Sequence, residues 1–144
     1  MSGSGAVSVL LIEDNDIDAE AIRRAFERLR INSPLVVATD GEMALDILRG
    51  ENGHQQIEWP YIVLLDLNLP RMDGFEFLES IRNEPTLAGT IVFVLTTSDR
   101  ELDKQRAYQF QVAGYIVKTK IEDGFLELAT MIDSFWRMSE FPPR

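Results

Sequence analysis

The chain has 144 residues, 45% of them hydrophobic and 26% charged, the balance of about one soluble globular domain rather than of disordered or membrane-bound material. Lys and Arg number 14 against 24 Asp and Glu, and the net charge of −10 opposes attraction to phosphate backbones, which excludes a direct nucleic-acid reader. The absence of cysteine excludes disulfides, thiol nucleophiles and thiolate metal sites and points to the cytoplasm, and no apolar run approaches the ~20 residues of a membrane span.

Residues 1–6 (MSGSGA) have the Gly/Ser content of a flexible lead or an expression scar and are set aside from the fold. The run VSVLLIE (7–13) predicts a strand by length and β-branching. After it, Ile17, Ala21, Ile22, Ala25, Phe26 and Leu29 form one stripe of a first helix, with Asp14, Asn15 and Asp16 suited to its N-cap and first turn. PLVVAT (34–39) predicts a second strand and GEMALDILRG a short helix closed by Gly50.

The polar, turn-rich segment GENGHQQIEWP leads into YIVLLD, a third strand that ends on Asp66. GFEFLESIRNEP is a helix stopped by Pro85, and TIVFVLT (90–96) is a fourth strand. SDRELDKQRAYQFQVAG opens with Ser98 and Glu101 at capping-box spacing and closes on Gly114. YIVKT makes a fifth strand and EDGFLELATMIDSFWRM a fifth helix, leaving residues 139–144 as a C-terminal tail.

Five β-α pairs in strict alternation predict an α/β fold, a doubly wound parallel sheet with helices on both faces. Ligands of such sheets bind outside the carboxyl ends of the strands. Those ends carry Glu13 and Asp14, then Asp66, then Thr96 and Thr97, then Lys118. Carboxylates gathered there repel unless a cation joins them, and oxygen ligands without Cys or paired His favour Mg²⁺ over zinc. A hydroxyl and an ammonium beside such a carboxylate make a pocket for a phosphoryl group, with Asp66 as nucleophile and Lys118 as a point charge. Taken singly, each residue also has a plain structural role, Glu13 and Asp14 as helix caps and Lys118 as a stem reaching out of a strand.

The motifs LLIEDN, LLDLNLPRMDG, VLTTS and GYIVK, in this order, resemble the receiver domain of two-component response regulators over residues 7–138. That resemblance implies a flavodoxin-like (βα)5 fold with strand order 2-1-3-4-5. It implies that Asp66 accepts a phosphoryl group from a phosphohistidine on a sensor histidine kinase. Asp14 would bind Mg²⁺ directly, Glu13 through water, Asp66 as a shared ligand and Asn68 through its backbone carbonyl. Thr96 and Tyr115 would form the switch, Lys118 would pair with the phosphoryl group, and Thr97 and Asn68 would govern access to it.

One departure is Thr119 where receivers carry a proline after the lysine, joined by a cis bond; a cis Lys-Thr bond would cost ~3 kcal/mol, so a trans bond and a shifted loop are expected. The resemblance further implies a stand-alone regulator whose output is a protein contact, with no separate enzymatic output domain. VLTTS, the loop before the third strand and DSFW are similar to small regulators paired with bacterial phytochromes. A homodimer through the fourth helix, fifth strand and fifth helix is expected. Phe135, Trp136 and Phe141 either extend that face or pack as core and under the tail. Arg23, Arg24, Arg28 and Arg30 are either a solvated face or a kinase-docking cluster, and His54 reads as a surface residue.

Two other readings are open. A haloacid dehalogenase-type phosphatase would need a second aspartate as general acid two residues after Asp66, where Asn68 stands, and the loss of such an acid costs ~10²–10⁴-fold. A phosphorylation-independent, receiver-like binding module is the other, with Thr119 the one feature in its favour.

Overall fold

A computed structural model describes residues 7–143; the proposed lead at 1–6 and the last residue of the tail lie outside the described residues. The strands are β1 Ser8–Ile12, β2 Leu35–Ala38, β3 Tyr61–Leu65, β4 Ile91–Thr96 and β5 Gly114–Val117. The helices are α1 Asp16–Arg28, α2 Gly41–Arg49, α3 Gly74–Asn83, α4 Glu101–Gln109 and α5 Leu126–Met138. All four strand pairings are parallel and the sheet order is β2-β1-β3-β4-β5, as expected. Among the described residues no helix is long and apolar enough to cross a membrane.

The central strands are buried on both faces, which is why their sequences run apolar without alternation. Alternate residues feed two cores. Leu10, Ile12, Val63, Leu65, Val92 and Val94 pack with α2 and α3 on one side. Val9, Leu11, Ile62, Leu64, Phe93 and Leu95 pack with α1 and α5 on the other. A substitution such as Leu64→Ala in these layers has the ~2–5 kcal/mol cost of a core cavity.

Local signals set the helix starts that face the site. Asn15 caps α1, accepting from the Asp18 N–H at 3.0 Å, while Asp73 and Glu76 close a reciprocal capping box on α3. Gly50 ends α2 at φ +70°, a conformation that strains any side chain.

Three expectations are corrected. Ser98 does not cap α4: its hydroxyl donates to Asp103 Oδ2 at 2.6 Å, and the N-cap position is Arg100, which makes no side-chain cap bond. Gly114 does not close that helix but opens β5 opposite Phe93, whose ring would lie 3.1 Å from an added Cβ; α4 ends at Phe110. Ile17 and Leu29, assigned to the buried stripe of α1, are 81% and 40% exposed, because they sit at the two ends of the helix beyond the reach of the sheet.

Phe135, Trp136 and Phe141 are half-buried, with contacts inside the chain. Phe135 meets Phe93 edge-on at 5.2 Å and Phe141 at 6.3 Å, and Trp136 is packed against the same core. The tail folds back over Trp59, whose indole N–H donates to the Pro142 carbonyl at 3.2 Å and whose ring lies 6.0 Å from Phe141. Arg23, Arg24, Arg28 and Arg30 are exposed, and the first two pair with Glu20 on their own helix. His54 is half-buried in its loop.

Candidate functional site

Every strand-end residue singled out in the sequence lies at the carboxyl edge of the sheet, and the parallel register explains why. Ile12 pairs with Leu65, so Glu13 and Asp66 leave adjacent strands side by side, and the Asp66 N–H donates to the Ile12 carbonyl at 3.0 Å. Carboxylate oxygens of Glu13, Asp14 and Asp66 lie within 4.8 Å of one another. Glu13 is 1% exposed and Asp66 8%, while Asp14, ahead of the α1 cap, is exposed. Three hard oxygen donors, one open to solvent, fit a divalent metal site that keeps water in its shell.

Lys118 lies at the end of β5, and its ammonium answers this charge from within the protein. Its Nζ donates to Glu13 Oε1 at 2.5 Å, to Asp18 Oδ2 at 2.8 Å and to Asp66 Oδ2 at 3.4 Å. Burial alone disfavours the charged amine, but the hydrogen bonds to Asp18 and Glu13 and the charge of Asp66 hold its pKa well above the usual lysine value. Burial pushes the Glu13 carboxyl up to about 7, against the pull of Lys118 and with the Asp66 charge adding to the rise.

The loop after β3 turns back on its own carboxylate. The Asn68 N–H donates to Asp66 Oδ1 at 3.2 Å, and Gly74 packs so close that an added Cβ would meet Leu67 Cα at 2.7 Å and the Asp66 carbonyl at 2.8 Å. Farther along, Arg71 Nε lies 3.3 Å from Asp40 Oδ2 and the Gly41 N–H donates to the Met72 carbonyl, so the loop is docked on the N-terminus of α2.

On the β4 side, Thr96 is fully buried and accepts from the Ser98 N–H at 3.4 Å, whereas the side chains of Thr97 and Asn68 are exposed at the mouth. The Tyr115 hydroxyl donates to the Ser98 carbonyl at 3.0 Å, tying β5 to the loop that follows Thr96. Trp59-Pro60 is the cis bond among the described residues, so Lys118-Thr119 is trans, as expected, and the chain enters a single 3-10 turn at Lys118–Lys120.

Asp18 is the site residue that the sequence reading missed. Its signal was present, a second acidic residue one helical turn beyond Asp14, but acidic residues in a first helical turn are common for dipole reasons alone.

The family model for the response regulator receiver domain matches residues 9–129, most of the chain. The chain is a response regulator receiver domain. Among curated relatives, the receiver is 40% identical over 129 residues to a probable methanogenesis regulatory protein, FilR2, of Methanothrix harundinacea, covering 89% of this chain and 82% of that one. It is 33% identical over 128 residues to the response regulator Rcp1 of a Synechocystis species, covering 89% and 87%.

Among solved structures, the receiver resembles the phosphorylated cyanobacterial phytochrome response regulator RcpA with a TM-score of 0.84 and 33% identity, over 96% of this chain and 99% of that one. It resembles the Mn²⁺-bound form of Rcp1 with a TM-score of 0.80 and 30% identity, over the same shares. The flavodoxin-like fold expected from the motifs is therefore the fold of its relatives. The role of the receiver is that of a phosphoacceptor in two-component signalling.

Proposed function

We propose that Asp66 is the phosphoacceptor and that it takes its phosphoryl group from a histidine of a sensor kinase. An Asp66 carboxylate oxygen attacks phosphorus; the P–N bond to the kinase imidazole breaks as the P–O bond of an acyl phosphate forms, and the imidazole leaves with the electron pair. Glu13, Asp14, Asp66 and the Asn68 backbone carbonyl would hold Mg²⁺, which when bound neutralises charge on the phosphoryl oxygens. The Lys118 ammonium, 3.4 Å from Asp66 Oδ2, offers the same stabilisation and stays charged throughout.

In the same reading Thr96 is the hydroxyl that turns onto the phosphoryl group, and Tyr115 reports that movement through its hold on the Ser98 carbonyl. Thr97 and Asn68, exposed at the mouth, control the approach of donors and of hydrolytic water. The observation that carries the reading is the convergence of Glu13, Asp14 and Asp66 with the Lys118 ammonium at one sheet edge. Incubation with Mg²⁺ and acetyl phosphate tests it. Intact mass should rise by one phosphoryl group, and Asp66→Asn or a metal-free sample should gain none; equal gain in Asp66→Asn would refute the assignment.

The partner proposed is a sensor histidine kinase of the bacterial phytochrome type, by analogy with Rcp1 and RcpA, acting in the cytoplasm on this receiver. The higher identity to FilR2 favours a second reading, a kinase that answers a signal other than light. Phosphotransfer from a phytochrome kinase under red and far-red light separates the two. We also propose a homodimer through α4, β5 and α5, where Leu102 and Tyr108 of α4 are 67% and 53% exposed. Leu102→Glu together with Tyr115→Ala should lower the sedimentation coefficient to that of a monomer. An unchanged value would refute that face.

A further inference from the structure

Asp18 lies 100 residues from Lys118 in sequence, yet its Oδ2 accepts from the Lys118 ammonium at 2.8 Å, closer than Asp66 at 3.4 Å. It stands outside the group of carboxylates whose oxygens gather within metal-binding range. Its backbone N–H is already used by the Asn15 cap, and its side chain is 27% exposed. Asp16, on the same first turn and exposed, is as well placed to complement the helix dipole, so that role does not require Asp18 to reach inward.

An ammonium has three N–H donors in tetrahedral array. Two point to Glu13 and Asp18, and the third is aimed along the longer line to Asp66 Oδ2. We propose that Asp18 is a positioning residue that, with Glu13, fixes the Lys118 ammonium as a tripod whose third leg, now on Asp66 Oδ2, points to where a phosphoryl oxygen on Asp66 arrives. This inference rests on the functional reading above. Glu13, Asp14 and Asp66 would hold a divalent cation, and Asp18, outside that group, would remain as a carboxylate dedicated to the lysine. Without it the flexible lysine stem is free to swing toward the remaining carboxylates.

Electrostatics alone makes the opposite prediction, since removing a negative charge next to the pocket favours the approach of an anionic phosphodonor. The sign of the effect therefore discriminates. At saturating Mg²⁺, Asp18→Ala should lower the limiting rate of phosphorylation by acetyl phosphate by about 10-fold, the scale of a modestly misplaced catalytic group, with the half-saturating donor concentration unchanged. Asp18→Asn, which keeps an oxygen acceptor, should recover part of the loss. An equal or higher rate in Asp18→Ala overturns the proposal.

A second measurement reads the tripod without phosphotransfer. In a lysine ammonium ¹H–¹⁵N spectrum at low temperature, the wild type should show a slowly exchanging Lys118 signal, assigned by its loss in Lys118→Arg. That signal should vanish in folded Asp18→Ala. Its persistence there, or its absence from the wild type, overturns the tripod. A wild type that accepts no phosphoryl group but shows the Asp18-dependent signal defeats the functional reading and leaves the tripod standing.

Discussion

Glu13→Gln should flatten the pH dependence of stability in the metal-free receiver. Glu13 is 1% exposed, and burial lifts its carboxyl from the ordinary 4.5 to about 7 despite the hydrogen bond from Lys118. The unfolded chain thus loses this proton near pH 4.5 and the native chain near 7. Between those values the native state binds more protons, so Glu13's contribution to stability is fully present below 4.5, falls as the pH rises, and is gone above about 7. The interval is 7 − 4.5 = 2.5, which at about 1.36 kcal/mol for each pH step amounts to roughly 3 kcal/mol. Other carboxylates add slopes of their own, but wild type and variant share them. The assay is urea unfolding in EDTA from about pH 5 to about pH 8, reading the difference in unfolding free energy between the two proteins. Relative to wild type, the variant should gain roughly 3 kcal/mol across that range. Parallel profiles would refute the reasoning, because they would mean that Lys118 keeps Glu13 ionised through the whole interval.

Gly74→Ala should cost about 1–3 kcal/mol in urea unfolding and slow phosphorylation, because the new Cβ must displace backbone at Leu67 and Asp66. Arg82 donates to the carbonyls of Ala88 and Thr90 and of Phe110 at 2.7 Å and of Gln111 at 3.2 Å, tying α3 to the segment before β4 and to the end of α4. Arg82→Met should destabilise by about 2–4 kcal/mol, measured by the same unfolding, since four charge-assisted bonds, three of them partly buried, are lost together. Phe141→Ala should cost about 1 kcal/mol through its contacts with Trp59 and Phe135, seen as a lower thermal midpoint with phosphorylation unchanged.

The architecture was legible because each of its signals is local. Runs such as VLLI and YIVLL are short, β-branched and apolar throughout, which is what burial on both faces of a parallel sheet requires. Glu13, Asp66 and Lys118 were legible as a group because a parallel sheet brings all its carboxyl ends to one edge. Contacts set by the third dimension were not. Nothing in the sequence near Asp18 announces a lysine 100 residues away, and nothing near Arg82 announces the carbonyls of Phe110 and Gln111, 28 and 29 residues on. Ser98 satisfied the spacing of a capping box, yet its hydroxyl oxygen accepts from the Arg100 N–H instead of the third N–H of a helix, its proton goes to Asp103, and α4 begins at Glu101. Local spacing proposes a cap, and the path of the backbone decides which N–H reaches it.

The central claim is that the phosphoryl group resides on Asp66 and that the acidic pocket with Lys118 puts it there. Borohydride reduction of the phosphorylated receiver, followed by proteolysis and tandem mass spectrometry, tests this at the level of one residue, because an acyl phosphate is reduced to the alcohol and an unmodified carboxylate is not. Homoserine is expected at position 66, with unreduced carboxylates at Glu13, Asp14 and Asp18. Reduction at one of those three instead, or a phosphoryl group retained on His54 or a hydroxyl, would contradict it.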